Sequence, residues 1–76
     1  MTPAQSRMAR AALQLGIRDV AKLAKVAPST ISRLEAGEML QPRTLEAIQR
    51  ALEKAGIEFI AENGGGAGVR LRKKKK

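Results

Sequence analysis

Between Pro28 and Arg33 the chain reads Pro-Ser-Thr-Ile-Ser-Arg, three hydroxyls and a guanidinium with no acid, thiol or imidazole among them. These are groups for hydrogen bonding rather than bond breaking. Arg33 can aim two parallel N–H donors at a planar edge such as that of guanine, a contact worth about 1–3 kcal/mol of discrimination. The hydroxyls of Ser29 and Thr30 serve bases and phosphates equally well, and Pro28 or the Thr30 methyl can meet a thymine methyl. Polarity at a helix start accounts for Ser29 and Thr30 just as well, because the preceding Ala27 has no capping oxygen. Ser32 falls on the same exposed face as Arg33.

Catalysis has almost no carriers. With no His, no Cys and only one Asp, the chain lacks a conventional histidine base, a thiol nucleophile and a zinc site, and its glutamates are scattered along helices. The glycine-rich run from Asn63 to Gly68 opens no helix and has no Lys-Ser or Lys-Thr pair, so it is not a phosphate-binding loop. No enzymatic activity and no cofactor are expected.

The hydroxyl-guanidinium segment has to be held by neighbouring elements. Residues 17 to 37, IRDVAKLAKVAPSTISRLEAG, place apolar or small side chains at Val20, Ala21, Ala24, Val26, Ile31 and Leu34. Val20 with Leu23 or Ala24 makes one helical stripe and Ile31 with Leu34 another, and only a three- or four-residue turn fits between them. Two short helices packed across a tight turn form an element suited to reading DNA. Ala21 lets the second helix cross the first at close range.

Upstream, Thr2, Pro3 and Gln5 predict a helix start in which Thr2 caps, Pro3 takes the first turn and Gln5 reaches back to the cap. That helix should run from about Pro3 to Leu13, with Met8 or Ala9, Ala12 and Leu13 inward and Arg7, Arg10 and Gln14 outward. Gly16 breaks the run and caps a second helix, about Ile17 to Lys25. Pro28 opens the third, which stops at Gly37, the expected left-handed residue. Pro42 opens a fourth, with Leu45, Ile48 and Leu52 on one stripe and Gly56 ending it.

Beyond Gly56, Ile57, Phe59 and Ala61 alternate with Glu58, Ile60 and Glu62 as a short strand, and Val69 and Leu71 alternate with Arg70 and Arg72 as a second. A lone hairpin is barely stable in water, so it must pack on the helices or pair with a second chain. Pairing across a dimer, through Ile57, Phe59, Val69 and Leu71, is the favoured expectation. The alternative is that only the first strand forms and residues 63–76 stay disordered.

Seventy-six residues set the scale, with 15 Lys plus Arg against 7 Asp plus Glu and a net charge of +8. Residues 1–62 hold nine basic and seven acidic groups, whereas residues 63–76 hold six basic groups and no acid. Most of the excess lies in the tail, where it favours any polyanion without selecting a sequence. A solubility tail accounts equally well for Lys73 to Lys76. One core of this size, with no cysteine to staple it, is marginal, which also favours a dimer. Neither an eighteen-residue apolar run nor a signal-peptide pattern is present, so a soluble, cytoplasmic, nucleoid-associated protein is expected.

The runs VAKLAKV, STISRLEAGE and PRTLEAIQRALE, in that order and spacing, resemble the lambda-repressor-like helix-turn-helix family of Xre or Cro/C1-type regulators from Thr2 to about Leu52. The continuation AGIEFIAENGGGAGVRLRKK resembles a tail found in short bacterial regulators of this group. Residues and resemblance together predict a mainly α protein: a lambda-repressor-like four-helix domain over residues 1–56, a C-terminal β-hairpin over 57–72 expected to serve dimerisation, and a basic tail over 73–76. The resemblance further implies a sequence-specific, usually dimeric repressor or other transcription factor on double-stranded DNA, with the third helix in the major groove. Arg43 and Thr44, at the start of the fourth helix, are implied phosphate contacts, and Arg43 could also enter the minor groove. Where the family often has glycine, this chain has Lys25, so that either Lys25 takes a positive φ at some cost or the turn is slightly altered; Lys25 is a further phosphate candidate. Where the family often has a phosphate-binding glutamine, this chain has Ile17, and Arg18 could replace it. Arg10 either meets phosphate or pairs with Glu35. An antitoxin with a toxin partner and an interaction module docked on RNA polymerase are the competing classes.

Overall fold

The computed structural model describes residues 1–61 and 64–72. Helices α1 (Pro3–Leu13), α2 (Ile17–Ala24), α3 (Pro28–Glu35) and α4 (Pro42–Lys54) precede a hairpin of β1 (Ile57–Ile60) and β2 (Gly68–Leu71). Lys73 to Lys76, the expected basic tail, lie outside the described residues. No helix among the described residues is long and apolar enough to cross a membrane.

Each helix starts where its sequence supplies the start. The Thr2 hydroxyl accepts from the Gln5 N–H at 3.1 Å while the Gln5 side chain accepts from the Thr2 N–H at 2.9 Å, a reciprocal cap. Gly16 has no side chain to offer, and the Asp19 carboxylate accepts from its N–H instead, at 2.9 Å. Proline opens α1, α3 and α4, where its missing N–H costs nothing.

Three helices end in one kind of turn, in which a left-handed residue lets the next one donate its N–H back five positions. Gln14 (φ 58°), Lys25 (φ 60°) and Gly37 (φ 92°) are the left-handed residues. Leu15, Val26 and Glu38 donate to the carbonyls of Arg10, Ala21 and Arg33 at 2.9, 2.9 and 3.0 Å. Lys25 therefore adopts the positive φ that its place in the turn demands. It stands just past the end of α2 rather than within it, and α3 likewise stops at Glu35, short of Gly37.

The core joins Ala9 of α1, Val20 and Ala21 of α2, Ile31 and Leu34 of α3, Ile48 and Leu52 of α4, and Ile57 of β1. Helix α2 packs on α3 and α4, α1 packs on α3 and β2, and α4 packs on β1. Ala21 is 2% exposed at the α2–α3 crossing, where its small side chain permits close approach. On α1 it is Ala9 that is buried, while Met8 is partly exposed.

The hairpin belongs to this core. Ile57, expected at a dimer contact, is 1% exposed within its own chain, and Phe59 and Val69 pack partly buried against the same cluster. The physical reason is continuity: β1 follows α4 so closely, and packs on it, that its first inward side chain joins the same core cluster as Ile48 and Leu52. Leu71 remains 51% exposed. The strands are antiparallel, pairing Ile57 with Leu71, Glu58 with Arg70, Phe59 with Val69 and Ile60 with Gly68. Arg72 donates its N–H to the Gly56 carbonyl at 2.7 Å. By the alternation of an antiparallel ladder, the Ile57–Leu71 and Phe59–Val69 pairs then point their N–H and C=O groups outward along the two free edges.

Gln5 ties the hairpin to α1. Its buried amide donates to the carbonyls of Ile60 at 3.0 Å and Gly68 at 2.9 Å while its own oxygen stays in the cap. Arg72 reaches back to the Glu53 carbonyl, and Arg70 pairs with Glu58 at 2.7 Å on the outer face.

Candidate nucleic-acid interface

Two buried residues, Ile31 and Leu34, anchor α3 and turn its other face to solvent. Pro28, Ser29, Ser32 and Arg33 are exposed there, and Thr30 is half-buried. No side chain caps the start of this helix, because its N-cap is Ala27. Pro28 has no N–H and Thr30 donates its own to the Ala27 carbonyl at 2.9 Å, so the Ser29 N–H is the backbone donor that this helix start leaves open to an anion. The face thus presents hydroxyls, a guanidinium and the Ser29 N–H, with no acidic side chain among its five named residues.

Arg33 is engaged in the free protein. Its Nε donates to Glu38 Oε1 at 3.0 Å, with the two side chains 54% and 55% exposed. Glu38 had no place among the sequence-derived candidates. Its spacing of five from Arg33 matches no helical pair, and only the turn at Gly37 brings the two together.

Arg18, Lys22, Val26 and Pro28 line one shallow groove at the elbow between α2 and α3. The expected phosphate contact at Arg18 is thereby brought beside the start of α3. Lys22 joins it, a residue that the sequence signals only by lying four positions after Arg18 on the same helical face. Lys25 is exposed at the end of α2. Arg43 is exposed and Thr44 half-buried in the first turn of α4, whose N-cap Gln41 also makes no side-chain cap. Neither lines the elbow groove. Among the described residues Arg18, Lys25 and Arg43 form no ion pair.

Arg10 resolves its two readings differently. Its Nε and Nη2 donate to the two oxygens of Glu35, each at 2.8 Å, and Nη1 faces the Leu15 carbonyl at 3.4 Å. The Ser6 hydroxyl donates to the same carboxylate at 2.9 Å, and Arg7 donates to the Glu35 carbonyl. The hydrogen bonds from Arg10 hold the Glu35 carboxyl below its ordinary range, against burial that pushes it up, with Ser6 assisting. The same contact raises Arg10. A guanidinium so occupied braces α1 against α3. Arg50 pairs with Glu46 at 2.8 Å one turn away, a solvated helical face.

An exposed, uncapped helix held by a short partner across a left-handed turn, with cations at the elbow, defines a helix-turn-helix DNA-binding domain. Residues 7–59 match the helix-turn-helix family, and the chain belongs to this family of Xre and Cro/C1-type regulators. It is a DNA-binding protein of the transcription-regulating kind. No curated protein matches the chain.

Proposed function

We propose that the protein is a sequence-specific transcriptional regulator that binds an inverted-repeat operator as a homodimer, with α3 of each copy in the major groove. The observation that carries this reading is the exposed row Pro28, Ser29, Ser32 and Arg33, standing over the buried anchors Ile31 and Leu34. Arg33 reads guanine, Ser32 and the hydroxyls of Ser29 and Thr30 complete the base-facing surface, and Pro28 offers apolar contact to a thymine methyl. Arg18, Lys22 and Lys25 hold the backbone on one side and Arg43 with Thr44 on another, fixing the register without reading sequence.

Support for the homodimer comes from the hairpin. It has two free edges with outward backbone groups, and Leu71 is an apolar side chain left half in water. A second copy that adds its own edge would satisfy both. The protein acts in this reading on the nucleoid, in the cytoplasm.

Selection of a random duplex library by the purified chain at about physiological salt, followed by sequencing, tests the proposal. A two-fold symmetric motif with half-sites about one helical turn apart is the expected outcome. Retention without a motif would reject sequence-specific reading, and a single unrepeated half-site would reject the dimer.

A further inference from the structure

The turns that end α1, α2 and α3 share their backbone but not their last residue. After α1 and α2 the residue that donates back is Leu15 or Val26, and both pack on the core. After α3 it is Glu38, which is exposed and gives the core nothing. Its carboxylate lies against Arg33 instead, and it takes only Nε. Among the described residues both Nη nitrogens of Arg33 are left without a partner.

We propose that Glu38 is a specificity-determining positioning residue that fixes the guanidinium of Arg33 for guanine and withholds it from phosphate. The inference rests on the base-reading role of α3 given above. With Nε pinned, the two Nη groups can still meet N7 and O6 of a guanine, so the pair survives on the correct site. A phosphate, which lies off to the side of the groove floor, is reached only by swinging the guanidinium away and breaking the pair. The carboxylate moreover adds a negative charge beside any DNA backbone that approaches. An ion pair this exposed shifts an equilibrium by a factor of about five or less, whereas a two-bond guanine contact is worth a factor of about 5 to 150. The pair is therefore strong enough to discourage non-specific use of Arg33 and too weak to prevent specific use.

The test compares the full chain with Glu38→Gln, Glu38→Asp, Arg33→Ala and the Glu38→Gln/Arg33→Ala double variant, on the selected operator and on a random duplex. Glu38→Gln keeps the size of the side chain and the backbone turn. It should raise affinity for the random duplex about fivefold without a matching rise on the operator, so that the ratio between them falls. Glu38→Asp keeps the charge but withdraws it from Nε, and should weaken binding to the operator while raising affinity for the random duplex by less than Glu38→Gln does, because the repelling carboxylate remains. In the Arg33→Ala background Glu38→Gln should move both DNAs by one factor and leave the ratio unchanged. A ratio unaltered by Glu38→Gln, or altered equally with Arg33 absent, would overturn the proposal while leaving α3 as the reading helix. A wild-type chain with no preference for any sequence would instead defeat the reading on which it rests.

Discussion

Arg33 and Glu35 sit two positions apart on α3 and face opposite ways. Arg33 keeps most of its donors in water, whereas Glu35, with its side chain 8% exposed, is enclosed by Arg10, Ser6 and Arg7. Enclosure makes the second residue a matter of stability. The folded-state pKa of Glu35 lies below that of the unfolded chain, held down chiefly by the hydrogen bonds from Arg10. Its contribution is therefore complete above the unfolded value and is lost as pH falls through the folded one. Glu35→Gln should cost about 1–3 kcal/mol at neutral pH, where the charged hydrogen bonds disappear. On acidification its melting temperature should fall less than that of the wild type, so the two curves converge as the wild-type carboxylate is protonated, at a pH below the ordinary carboxylate range. Thermal unfolding followed by circular dichroism from acid to neutral pH reads this directly, and parallel curves would rule out the ion pair as the source.

At the scale of elements, the helices are legible because their punctuation is local. Thr2 with Gln5, the three helix-opening prolines, and the glycines at 16, 37 and 56 act within one turn of where they stand, so a linear reading places every helix to within a residue or two. What escapes it is contact between distant residues. Gln5 reads as half of a cap, and nothing nearby reveals that its amide will meet carbonyls 55 and 63 positions away. Glu38 escapes for a related reason, since its reach to Arg33 depends on a turn rather than on helical spacing. Gln14 escapes because glutamine carries no preference for the left-handed region it occupies. That conformation costs an L-residue about 1–2 kcal/mol, and part of it is recoverable with glycine. Gln14→Gly and Lys25→Gly should each stabilise the chain by about 0.5–1 kcal/mol, raising its melting temperature by a few degrees. Only the second should lower DNA affinity at low salt, because only Lys25 belongs to the proposed phosphate-facing set. Equal DNA binding by both variants would remove Lys25 from that set.

For the whole molecule the question is how a small core supports a protein expected to act in pairs. Among the described residues, eight buried apolar ones, three of them alanine or valine on the two N-terminal helices, hold four helices and a hairpin together. That core includes Ile57, so the hairpin cannot be detached as a separate dimerisation device without opening the helical domain. Charge substitutions at Phe59 or Val69 would therefore confound unfolding with dissociation. Leu71 avoids the difficulty: its side chain is half exposed, and its N–H points away from β1, outside the hairpin's own ladder. Proline at that position removes an outward donor and blocks edge pairing while leaving the bonds to β1 intact. If two copies join through the β2 edge, Leu71→Pro should keep its helical circular dichroism, become monomeric by light scattering, and bind an operator as two independent half-sites. Its affinity would then fall toward that of one half-site, because the second contact would no longer be intramolecular. A variant that stays dimeric would exclude the β2 edge and direct attention to β1, where the outward groups of Ile57 and Phe59 are the remaining free edge of the sheet.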